Sequence, residues 1–173
     1  SPYRYWSNYL TLDNTHHDVA SATLQLYANG TPVVDEDLEI MPHASLTVDL
    51  NEYAALVPDA GQLTDCSPFL NARLAYMYTS TGGTAEFLLD DTTGVNLAFD
   101  FAGYAANDLT WMGLALFNPG DEEATVVLRA VLDSSVVGEH TIILPPHTKS
   151  SDVLENIFGD GFEMLDRVLA ESD

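Results

Sequence analysis

A shift of 104 residues lays residues 10–50 over residues 114–154 without a gap, and this self-similarity limits the fold more than any other feature of the chain. A sequence that repeats a segment of this size builds the same element order twice. Nine positions are identical: Leu10 with Leu114, Leu12 with Leu116, Asn14 with Asn118, Ala20 with Ala124, Leu24 with Leu128, Val33 with Val137, Pro42 with Pro146, His43 with His147 and Leu50 with Leu154. Ala22, Leu38 and Ile40 face Val126, Ile142 and Leu144, so the apolar pattern is kept along with the letters.

Each copy reads as the same series. A short strand (Asn8 to Asp13; Met112 to Phe117) enters a turn, Asn14-Thr15-His16-His17-Asp18 in one copy and Asn118-Pro119-Gly120-Asp121-Glu122 in the other. Asn, Pro, Gly and Asp are turn chemistry. Ala20, Ala22, Leu24, Leu26 and Ala28 then alternate with polar residues, as do Ala124, Val126, Leu128, Ala130 and Leu132. Period two predicts a strand with one buried face. Asn29-Gly30 is a strong hairpin turn and Asp133-Ser134 a weaker one. The third strand stops at Pro42-His43 or Pro145-Pro146-His147, because proline cannot donate to a ladder. A shorter strand leads into a brief helix, where Asp49 before Glu52 and Asp152 before Glu155 have capping-box spacing, and Pro58 and Gly159 provide the stops.

Downstream, FLNARLAYMYTSTGGTAEFLLDDTTGVNLAFDFAG reads as three further strands of the first copy, while the second reaches only MLDRVLAESD, matched to LNARLAYMYTS through Arg73 and Arg167. The expected architecture is all-β: two tandem antiparallel β-sandwich units with one short helix each, the first over residues 1–106 and the second, incomplete, over 107–173. An incomplete sandwich exposes sheet edges and apolar surface that the first copy or another chain must cover.

Charge narrows the partners. Twenty-seven acidic residues stand against five basic ones, for a net charge of -22, yet 46% of the chain is hydrophobic, which excludes a disordered acidic tail. Nucleic acid and anionic membrane surfaces are excluded as partners by repulsion. A cation, a basic partner or solubility in salty water fits such a surface. No apolar run reaches the ~20 residues of a membrane helix, so no membrane insertion is expected. Cys66 is the single cysteine and has no basic neighbour in sequence to activate it, so it is expected to pack inertly, a bond to a second chain being the alternative.

The stretch GLALFNPGDEEATVVLRAV, continuing through HTIILPPHTKSSDVLENIF, resembles bacterial secreted β-sandwich repeats whose hallmark is Asn-Pro-Gly or Asn-Pro-Ser before an alternating strand and a Pro-His or similar turn after it. The same stretch is similar to the sensory rhodopsin transducer family of small β-sandwiches. The resemblance covers about 45 residues of each copy. The first copy departs from it in carrying Asn14-Thr15-His16 where Asn-Pro-Gly is the pattern. It implies a sandwich that oligomerises and binds partners rather than catalysing.

No catalytic constellation stands out. Acid pairs such as Asp90-Asp91 and Glu122-Glu123 fall in turns where solvated charge is the ordinary reading, and no Gly-x-Ser-x-Gly or phosphate loop occurs. The histidines lack the spacing of a helical zinc site, and His43 and His147 occupy equivalent turn positions that imply a structural task. Calcium is the cofactor the charge favours, with Asp90, Asp91, Asp121 and Glu122 as candidate ligands, although no segment has EF-hand spacing. The expectation is a non-enzymatic structural or interaction protein, secreted, periplasmic or at the cell surface, that forms a homo-oligomer or binds a protein partner, in one route by strand addition. A carbohydrate- or small-ligand-binding module is the alternative, with Trp6 and Trp111 as its platform.

Overall fold

The computed structural model describes residues 6–78, 83–89, 96–100, 113–159 and 165–172; the side chains of residues 6, 78, 83–88, 96–100 and 113 lie outside that description. Among the described residues the chain is all-β apart from two short helical segments, and it divides into two compact units, Ser1–Thr92 and Thr93–Asp173.

In the first unit, β1 (Trp6–Asn14), β4 (Ser45–Asp49), β6 (Leu70–Tyr78) and β7 (Gly83–Leu89) form one antiparallel sheet in the order β4-β1-β6-β7. A second sheet has the order β3-β2-β5, from β2 (Ala20–Ala28), β3 (Thr31–Ile40) and β5 (Ala60–Thr64). Both sheets feed one apolar cluster: Leu10 and Leu12 from β1, Ala72 from β6, Ala20, Ala22, Leu24 and Leu26 from β2, and Leu38 and Ile40 from β3. The alternation in β2 predicts this face, since its even-numbered residues from Ala20 to Leu26 are buried. Leu12 is fully inaccessible, a burial that contributes about 2 kcal/mol.

The second unit pairs β9 (Gly113–Phe117) with β12 (Lys149–Val153), and its larger sheet has the order β11-β10-β13-β8, from β8 (Asn96–Asp100), β10 (Ala124–Leu132), β11 (Ser135–Leu144) and β13 (Arg167–Ser172). Val126, Leu128, Leu144, Leu154, Val168 and Ala170 make its core. Strand β8, which sequence order attaches to the first copy, pairs here with β13, with Arg167 opposite Asp100 and Glu171 opposite Asn96.

Two sequence readings are corrected. Arg167 does not correspond to Arg73. It opens β13 opposite Val131 of β10, just as Ala60 opens β5 opposite Tyr27 of β2, so β13 takes the place of β5 and not of β6. The packing agrees with this: Leu26 faces Gly61, whose missing Cβ would sit 2.7 Å from Leu26 Cδ2, whereas Ala130 faces Val168. The large and small partners have exchanged sides, which conserves volume. Neither helix carries a reciprocal capping box. Asp49 caps a 3-10 helix (Leu50–Leu56) through the Asn51 N–H, and that helix ends at left-handed Val57. Val153 stands at the N-cap of α1 (Leu154–Phe158), while Asp152 accepts from the Val153 N–H and the Asn156 side chain.

The turn between β2 and β3 places Asn29 and Gly30 at φ of 50° and 76°, the left-handed pair of a two-residue hairpin. Asp133 and Ser134 stand at 49° and 64° between β10 and β11. A left-handed serine is strained where glycine is not. Ser134→Gly is therefore expected to stabilise the chain by about 1 kcal/mol, read as a higher urea midpoint at unchanged slope.

Candidate functional site

The polar centre of each unit is an asparagine. Asn14 ends β1 with 2% of its surface exposed, and its amide nitrogen donates to the carbonyls of Asp18 at 2.8 Å, Ile40 at 3.0 Å and Met41 at 3.1 Å. Its side-chain oxygen accepts the His16 N–H at 2.9 Å, and its own N–H reaches the Ala44 carbonyl. Asn118 repeats every one of these bonds, to Glu122, Leu144 and Pro145 as donor, from Gly120 as acceptor and to Thr148 through its backbone. One side chain thereby ties together the end of a strand, the following loop and the distant turn that closes β3 or β11. That turn carries His43 or His147 in the left-handed region at φ of 54° and 53°.

The carboxylate at that position gives a sharp test. Asn14→Asp keeps the shape but aims an acceptor at three carbonyls, and only its protonated form can donate. The folded-state pKa of the new carboxyl is raised, so stability holds below about pH 4 and falls as pH rises through the folded value. At neutral pH the loss is expected to reach about 2–3 kcal/mol, measured by urea unfolding across pH.

The loop that Asn14 organises carries His16, His17 and Asp18, whose ligand atoms all lie within 4.8 Å of one another. His16 Nδ1 is 3.3 Å from Asp18 Oδ2 and His17 Nε2 is 3.7 Å from the same oxygen. The His16 ring stacks on Phe69 at 4.4 Å between centroids, and Phe69 in turn packs against the first core. His17 and Asp18 are exposed. Sequence reasoning passes over this trio because it tests for helical spacing, whereas here a loop turn gathers adjacent residues.

Of the four calcium candidates, Asp90 and Asp91 lie outside the described residues. Asp121 is nearly fully exposed and pairs with His147 Nε2 at 3.0 Å, and Glu122 is exposed, its carbonyl accepting from Asn118. The equivalent His43 uses its backbone N–H, donating to the His16 carbonyl at 3.1 Å. Trp111 and the Trp6 side chain, on which the carbohydrate reading depends, also lie outside the description. Cys66, expected to pack inertly, is exposed, and its thiol faces the Thr64 carbonyl at 3.6 Å.

Acids elsewhere are held by specific partners. Tyr53 donates to Glu36 at 2.5 Å, which together with partial burial pushes the phenol up to about 12. Asn156 and the Val153 N–H hold Asp152 below the usual carboxylate range. Arg129 bridges Glu139 on β11, at 3.1 Å, and Glu171 on β13. The Asp13 carboxyl is lowered, first by Ser45 donating at 2.5 Å; burial opposes this, and Arg73 at 2.8 Å adds to the lowering. No family model matches the chain, and no curated protein matches its sequence.

Because the folded-state pKa of Asp13 lies below its unfolded value of about 3.9, its stabilisation is complete above that pH and is lost as pH falls through the lowered value. Asp13→Asn is expected to flatten the acid limb of the stability profile below pH 4 and to leave the shape above pH 6 unchanged, by urea titration at each pH.

Proposed function

We propose that this chain is a non-enzymatic structural protein of the cell exterior, built as a tandem duplication of one β-sandwich unit, that assembles with copies of itself through the free edge of β11. The observation that carries this reading is the contrast between two strands in equivalent places. Among the described residues, both β3 and β11 stand at the end of their sheet. Edge strands invite pairing unless charges or proline block them. β3 carries Pro32 and the acids Asp35, Glu36, Asp37 and Glu39. β11 has Val136, Val137 and Ile143, each more than half exposed, and its single acid, Glu139, is already paired with Arg129.

On a molecule of net charge -22 the partner edge matters. Laying β3 of one copy against β11 of another brings four β3 carboxylates to the contact, whereas β11 against β11 brings two glutamates, each paired with Arg129, and six apolar side chains. An antiparallel pair of β11 strands has two-fold symmetry and closes as a dimer. Half-burial of Leu114 and Leu116, whose counterparts Leu10 and Leu12 are buried, adds apolar surface to the second unit for further contacts. The placement outside the cell and the binding-protein character rest on the likeness to secreted sandwich repeats and sensory rhodopsin transducers.

Sedimentation equilibrium tests it. The native chain is expected to dimerise in the micromolar range, and Val137→Lys with Ile143→Lys, which put a lysine on the edge, is expected to leave monomer of native circular dichroism. A monomer at high concentration in the native chain contradicts the proposal, as does an equal dimer in the lysine variant.

A further inference from the structure

The geometry points to a zinc-class transition-metal site formed by His16, His17 and Asp18 in the loop between β1 and β2. Zinc bound by imidazole nitrogen and carboxylate oxygen at about 2.0–2.2 Å in a tetrahedron sets its ligand atoms about 3.3–3.5 Å apart. His16 Nδ1 and Asp18 Oδ2 are 3.3 Å apart, and Asp18 Oδ2 and His17 Nε2 are 3.7 Å apart. Two edges of such a tetrahedron are thus in place within a few tenths of an ångström. The remaining pair lies within 4.8 Å, and His17 and Asp18 are exposed, free to close the gap by rotation. Metal binding would cost one weak bond, the Asp18 N–H to His16 Nδ1 at 3.3 Å. Three protein ligands leave the fourth position to water.

The second unit supplies the independent argument. Its loop makes the same bonds through Asn118, yet it has Gly120, Asp121 and Glu122 where the first has His16, His17 and Asp18. Gly120 N–H donates to the asparagine as His16 N–H does, at 2.9 Å in both. The loop therefore closes without imidazoles, and its closure does not account for the two histidines. Phe69 stacked on His16 holds one ring in place before any metal arrives, which lowers the ordering cost of binding. Two imidazoles and one carboxylate favour zinc, copper or nickel over the hard cations calcium and magnesium.

The test uses the full chain and Co2+, which reports tetrahedral coordination by visible absorption, followed by displacement with Zn2+. One Co2+ is expected to bind per chain with a tetrahedral spectrum, displaced by equimolar Zn2+ and not by a large excess of Ca2+. His17→Ala, and His16→Gly, which copies the residue of the second unit, should each weaken binding by about tenfold or more. Asp121→Ala should leave it unchanged. Displacement by Ca2+, or a loss in Asp121→Ala matching that in the histidine variants, would mean diffuse binding to acidic surface and overturn the site. Equal binding in native and His17→Ala chains of unaltered circular dichroism overturns it too.

Discussion

The buried asparagine at the end of the first strand is the constraint on which each unit depends. A strand that leaves a sheet must satisfy its last polar groups, and the carbonyls at the end of the neighbouring hairpin face the same demand. Asn14 and Asn118 meet both demands with one amide, donating to the loop that follows and to the two carbonyls, Ile40 and Met41 or Leu144 and Pro145, where the hairpin ends. Because the amide has both a donor and an acceptor end, no residue of similar size replaces it. The loop is then defined by its bonds to asparagine and not by its other side chains, which leaves His16, His17 and Asp18 in one copy and Gly120, Asp121 and Glu122 in the other.

How far the sequence could be read follows from the same physics. The period-two strands, the Asn29-Gly30 hairpin and the stops at Pro42 and Pro146 are local signals, and they agree with the strands found. The identity of Asn14 with Asn118 was visible as a match, but an asparagine beside a turn reads as turn chemistry, and only the tertiary contacts reveal it as buried. The correspondence of β13 with β5 was hidden by three residues of extra length before β13 and by the exchange of Leu26 and Gly61 for Ala130 and Val168, which preserves packing and erases similarity. Pairing of β8 with β13 is long-range and leaves no local mark. Adjacent histidines likewise carry no metal spacing until a loop turn brings their ligand atoms together.

Electrostatics divides the surface. The acids of β3 are spread along an edge and are partly engaged, Glu36 by Tyr53 and Asp37 by Thr23 at 2.9 Å. They keep that edge solvated and repel other copies. β11 lacks this protection, and Arg129, one of five basic residues in the chain, pairs with the acids on either side of it. Two units of like construction thus present unlike edges.

That one asparagine per unit holds the fold together can be tested by hydrogen exchange of the Asn14 and Asn118 side-chain amides, observed by nuclear magnetic resonance. Both pairs of amide protons are expected to exchange only with unfolding of their own unit, together with the backbone amides of β2 or β10. Exchange at the rate of a solvated side chain in either asparagine, while those backbone amides stay protected, would contradict the account.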